Sequence, residues 1–152
     1  MARIKTDRML STSADTFPVV VRRGRTRKER GMSQQAIQWF DIFVADIERA
    51  VRFYETVLDV KLRRATEDDR PMALFASAVE DGVGGALVRQ PGREPSAVGA
   101  LVYLDADGKL DASLARVERA GGSVVMPRTD IGAPGFIALV RDTEGNVVGL
   151  HS

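Results

Sequence analysis

The feature that most constrains this chain is an internal repeat. Between about residue 36 and residue 152 the order strand, helix, strand, strand, strand is read twice, with an offset of about 60 residues. In the first copy an apolar strand from Phe40 runs into Asp46. Then Ile47, Ala50, Val51, Tyr54, Val57 and Leu58 follow at the three-and-four spacing of one helical face. Asp46 is placed to cap that helix, its carboxylate accepting from the first free amides, with Glu48 near the positive helix end. Strand-sized stretches follow at 61–66, 72–77 and 84–90, parted by breaks such as Glu80-Asp81-Gly82.

The second copy opens with a strand over 99–104, then polar Asp105 to Gly108, then a helix carrying Leu110, Leu114 and Val117. Gly121-Gly122 predict a left-handed stop. Strands over 123–126, closed by Pro127, and over 136–141 and 146–151 complete it, the last two joined at Thr143-Glu144-Gly145. The final hairpins of the two copies superpose at an offset of 63, Ala86-Leu87 on Gly149-Leu150. The expected fold is α+β, two tandem βαβββ modules over about 36–92 and 97–152, with the sheets forming a shared cleft. Each sheet covers one face with a helix and has the other to bury or use, and pockets where modules meet are preferred ligand sites.

Net charge is +1, but its distribution is uneven. Residues 1–31 hold nine Lys/Arg against three Asp/Glu, leaving 13 basic and 18 acidic residues for the rest. Residues 1–33 therefore read as a basic arm, too poor in apolar side chains to order itself, ahead of a domain over 34–152. Three accounts of the arm stay open: an upstream extension ahead of a start at Met32, a phosphate-binding patch, or an organelle-targeting segment. No aromatic residues interleave its basic run, so a nucleic-acid partner is not expected. The chain has no cysteine, which excludes disulfides, thiolate ligands and a cysteine nucleophile, and cytoplasm is the default expectation. Apolar runs such as 136–140 fall far short of the roughly 20 residues of a membrane span, so no membrane role is expected. Neither a dinucleotide or phosphate loop nor a nucleophile elbow is present, and Glu67-Asp68-Asp69 read as a solvated loop.

The stretch from Trp39 to Tyr54, WFDIFVADIERAVRFY, followed by Val57-Leu58, resembles the opening strand and helix of the vicinal-oxygen-chelate superfamily (glyoxalase, bleomycin resistance protein, dioxygenase), in which "xDxxxAxxFYxxVL" is typical. Arg141 to Asn146 resembles that superfamily's "DPxGN" hairpin. The resemblance implies paired βαβββ modules and, in its enzymes, one divalent metal held by His, Gln or Glu from four strands. Counting from the shared motifs places those ligand positions at Trp39, Ala86, Gly99 and Gly149, none of which can bind a metal. The chain has a single histidine, His151, and Asp41 as a second donor would still leave too few. Neither a metal site nor any other cofactor is expected.

Strand alternation names the side chains sharing the cleft face with those positions. They are Trp39, Asp41 and Phe43 on the first strand, Ala86 and Val88 on the fourth, and Gly99, Leu101 and Tyr103 on the fifth. Gly149 and His151 come from the last strand, and Phe136 and Ala138 from its neighbour. The wall is apolar and aromatic and suits a flat organic molecule. Its polar groups, Asp41, Tyr103 and His151, are candidates for acid–base or hydrogen-bonding roles, and equally for ordinary packing or solvation. Three functions remain open: a metal-independent binder of a small hydrophobic or aromatic ligand, a lyase, isomerase or dioxygenase relative using those three residues or an unusual metal, or a non-catalytic interaction module. A homodimer is expected, with the cleft formed within one chain or between two.

Overall fold

The computed structural model describes residues 37–67, 69–75 and 82–152. The basic arm, the end of the expected strand at 76–77 and the Glu80-Asp81 part of the expected turn lie outside the described residues. The first module contains β1 (Trp39–Phe43), α1 (Ile47–Leu58), β2 (Arg63–Glu67), β3 (Arg70–Phe75) and β4 (Gly84–Val88). The second contains β5 (Tyr103–Asp105), α2 (Leu110–Val117), β6 (Ser123–Asp130), β7 (Phe136–Arg141) and β8 (Val147–His151). The two four-stranded sheets have equivalent orders, β1-β4-β3-β2 and β5-β8-β7-β6, with the first pair of each parallel and the rest antiparallel. This is the tandem βαβββ fold read from the sequence.

Local departures have local causes. Glu67 belongs to β2 and pairs with Arg70 across a tight turn whose Asp69 is left-handed, φ 61°, rather than lying in a loop. β5 starts at Tyr103 and not at Gly99, because Gly99 sits at φ 107°, outside extended backbone. β6 continues through Pro127 with register shifts on both sides of Met126, which an edge strand tolerates. Gly121, at φ 93°, ends α2: its amide reaches the Glu118 carbonyl (3.0 Å), while that of Gly122 reaches the Val117 carbonyl (3.0 Å). Among the described residues no helix is long and apolar enough to cross a membrane.

The modules are joined through their helical sides. Phe53, Tyr54 and Val57 of α1 belong to one buried cluster with Leu110 and Val117 of α2 and with Val140, Val148 and Leu150 of the second sheet. Gly122 has to be small here, because a Cβ would stand 2.5 Å from the Phe53 ring. Arg116 of α2 donates to the Val57 carbonyl at 3.1 and 2.7 Å, satisfying a C-terminal carbonyl of α1. Buried Tyr54 donates its hydroxyl to Asp142 Oδ2 at 2.8 Å. The same carboxylate accepts from the amides of Glu144 and Asn146 and from Asn146 Nδ2 (2.8–2.9 Å). Burial and the Asp142 charge raise the Tyr54 pKa well above the usual phenol value, so its hydroxyl remains a donor. Glu144 accepts from the Ala45 and Asp46 amides (3.1 and 2.9 Å), ahead of α1, and from Nε and Nη2 of Arg49 (2.7 and 3.0 Å).

Joining helix side to helix side leaves the opposite faces of the two sheets outside the shared core. The shared cleft expected from sequence is therefore not closed within one chain, since the elements that meet across the modules are α1, α2 and the β7–β8 hairpin.

Two measurements test this junction. Tyr54→Phe removes one donor from a buried carboxylate and is expected to lower unfolding free energy by about 1.5–3 kcal/mol in urea denaturation; a loss below about 0.5 kcal/mol would mean that the hydroxyl does not hold the modules. For Glu144, burial pushes the carboxyl pKa up, but Arg49 and the Asp46 amide outweigh it and hold it below its usual 4.5. The unfolded chain therefore takes up this proton first, so the stabilisation is complete above about pH 4.5 and is lost as pH falls through the folded value. The stability gap between the native chain and Glu144→Gln should be widest near neutrality and close on acidification; a gap that grew in acid would contradict this.

Candidate functional site

The uncovered face of the first sheet is built in rows fixed by register. One row runs Asp41, Ala86, Leu74, Arg63, and the next Phe43, Val88, Met72, Ala65. Ahead of the first row lies Trp39, paired with Gly84. The indole rests on that glycine, where a Cβ would come within 2.6 Å of the ring, and its Nε1 donates to Asp41 Oδ1 at 2.8 Å. Seated on one side and hydrogen bonded at its edge, the ring still exposes half its surface. The face encloses a shallow cavity of about 470 Å³, with Leu74, Met72, Val88 and Ala65 as its apolar floor. Its rim carries Asp41, Arg63 and the Glu67–Arg70 ion pair at 3.3 Å.

On the second sheet Tyr103 lies against Gly149 in the adjacent strand and is 46% exposed. His151 is half-buried in β8 between Asp105 and Ile137. The terminal strand does not fray there, since Ser152 exchanges two backbone hydrogen bonds with Phe136 at 2.8 and 3.0 Å. Tyr103 and His151 thus share one sheet, while Asp41 stands on the other. The three polar candidates do not converge within a chain.

Register corrects three assignments. Gly149 pairs with Leu139, and His151 with Ile137, so Ile137 and Leu139 carry the open face of β7. Ala138 pairs with Leu150 and is fully buried in the helix-side core, and Phe136, two residues before it, packs against the same core. Gly99 lies outside β5. Asp41 pairs with Ala86 as Tyr103 pairs with Gly149, so the counterpart of Trp39 is Leu101. Arg63, Ala65, Met72 and Leu74 were not foreseen in the cavity. The alternation Arg63-Ala65-Glu67 is visible in the sequence, but assigning it to this face requires the β2–β3 register.

The residues do not fit the superfamily's metal. Trp39, Ala86, Leu101 and Gly149 offer no donor, and the Tyr103 ring occupies the space into which a side chain at 149 would project. Among the described residues no three His, Cys, Asp or Glu side chains gather as a ligand set.

The family described as Glyoxalase/Bleomycin resistance protein/Dioxygenase superfamily matches residues 36–150. The chain belongs to this superfamily. Of solved structures, a glyoxalase/bleomycin resistance protein from a Streptomyces species is 26% identical with a TM-score of 0.57, over 77% of this chain and all of that one. A superfamily enzyme from Burkholderia phytofirmans is 16% identical with a TM-score of 0.56, over 74% of this chain and 94% of the other. A variant of glyoxalase I from Zea mays is 24% identical with a TM-score of 0.55 over 75% of this chain, which spans only 44% of the maize protein. Among curated proteins none matches by sequence.

Trp39 is the only tryptophan, so its emission reports this face alone. Gly84→Val puts methyl groups where the indole lies and should expel the ring into water, moving its emission maximum to longer wavelength. An unchanged spectrum would mean that the ring does not rest on Gly84.

Proposed function

We propose that this superfamily member binds a small, flat, hydrophobic or aromatic molecule without a metal. The observation that carries the reading is the fixed, half-exposed indole of Trp39 above an apolar floor in a cavity of about 470 Å³. That volume falls in the usual range for small-molecule sites, and an aromatic ring with an apolar floor is a common lining for them, here rimmed by the polar Asp41, Arg63, Thr66, Glu67 and Arg70. The lack of donors at the four ligand positions favours binding over Lewis-acid catalysis, and the separation of Asp41 from Tyr103 and His151 gives no acid–base set within a chain.

The proposal includes a second copy of the chain. The open face of the first sheet is bounded by β1, an edge strand, and the second sheet has the equivalent edge at β5. Trp39, Leu101, Tyr103 and Val98 leave large apolar surface in water near these edges, and a two-fold partner laying its second sheet opposite the first would cover it and close the cleft.

Two experiments test these readings. Planar aromatic probes should quench Trp39 saturably, equally with and without a chelator, and protein dialysed against Ni²⁺, Zn²⁺, Mn²⁺ and Fe²⁺ should keep less than one ion per chain. A stoichiometric ion lost on changing Asp41 or His151 would overturn the metal-independent reading. Sedimentation at micromolar concentration should give a dimer, and a monomer there would remove the partner copy.

A further inference from the structure

The first sheet's cavity is polar in a directed way, and this rests on its reading as an aromatic site. Its central row begins with Asp41 on β1 and ends with Arg63 on β2, with only Ala86 and Leu74 between them. The two ends differ in what they leave available. The Asp41 carboxylate spends one acceptor on the Trp39 indole and keeps its other oxygen. The guanidinium of Arg63 has no hydrogen-bond or ion-pair partner among the described residues. The other charges on the rim, Glu67 and Arg70, are paired with each other.

An unengaged guanidinium at the edge of an apolar floor offers a planar fork of donors suited to a carboxylate or another oxyanion. The opposite end, already anionic, repels an acid and accepts from an O–H or N–H. The strands carrying the ends are three inter-strand steps apart, about 14 Å, and the inward reach of the arginine shortens that to the span of a fused bicyclic ring with its substituents. We infer that the site selects elongated planar aromatic acids, held with the acid group at Arg63, the ring against Trp39 and a hydrogen-bond donor at Asp41.

Three naphthalene probes, each with its substituents at opposite ends, test this by calorimetry and Trp39 quenching: hydroxynaphthoate, its neutral amide hydroxynaphthamide, and methoxynaphthoate. The native chain should bind hydroxynaphthoate at least about threefold tighter than either of the others, the scale of an exposed charge pair, with the preference for the acid shrinking as salt is raised. Arg63→Gln should erase the preference of acid over amide while leaving hydroxyl over methoxy. Asp41→Asn, which keeps an acceptor for the indole, should weaken the hydroxyl preference and leave that for the acid. Both changes are at exposed positions, so the variants should fold. Equal binding of all three probes, or an acid preference that survives Arg63→Gln, overturns the inference while leaving the aromatic site standing. If none of the three binds, the aromatic site itself falls, and the inference with it.

Discussion

Everything else in this fold depends on how a buried carboxylate is satisfied between the two modules. Asp142 forms no ion pair among the described residues, yet it is almost fully enclosed and accepts from the Tyr54 hydroxyl, two backbone amides and the Asn146 amide. An ionised group so placed is tolerated only when its acceptors are filled. Three of the donors come from its own hairpin; the fourth comes from α1, in the other module. The chain therefore cannot separate the modules without leaving a charge short of a partner. The hairpin's next residue but one, Glu144, fills the amides ahead of that same helix, so one turn both receives from α1 and caps it.

The geometry of the opposite sheet faces follows from this junction. Because Phe53, Tyr54 and Val57 turn toward the second module, the helix-bearing sides of both sheets are consumed in one core, and the remaining sides stay outside it. On each of them an aromatic ring is laid over a glycine of the adjacent strand, Trp39 on Gly84 and Tyr103 on Gly149. A side chain at either glycine would lift its ring. The missing ligand at position 149 and the seated ring of Tyr103 are thus two aspects of one packing arrangement: the space of a metal ligand is given to an aromatic surface.

The repeat and its hydrophobic spacing made the fold legible in the sequence, because helix faces such as Ile47 to Leu58 and strand alternation are local properties of the chain. What was not legible depended on pairing. Placing Phe136 and Ala138 on the open face was a one-residue error in phase, which in a strand sends every side chain to the opposite side; only the partners of Gly149 and His151 decide it. Gly99 was misplaced for a related reason. Asp105 is the last residue of β5 and not the cap of α2, which is Lys109, so counting back from Asp105 as if it matched Asp46 overshot the position by two residues. Arg63 and Met72 were missed because they reach the cavity through two strand pairings, β2 with β3 and β3 with β4, neither of which leaves a mark in the sequence of β1.

The residues that reveal the superfamily and those that would perform its chemistry answer to different physical demands. Tyr54, Asp142 and Asn146 are buried and bonded to one another across the modules, so exchanging any one of them strands polar groups in the core. Positions 39, 86, 101 and 149 take no part in that junction: Trp39 and Leu101 are exposed, Ala86 is buried within its sheet, and Gly149 lies under the Tyr103 ring. A chain can therefore keep the whole structural signature while its face is rebuilt for another ligand, and similarity at the junction carries the fold without the reaction. On this face the chemistry must be read from Trp39, Asp41 and Arg63 themselves. There the indole held by the Asp41 carboxylate and the Arg63 guanidinium, unpaired among the described residues, lie on opposite sides of an apolar floor.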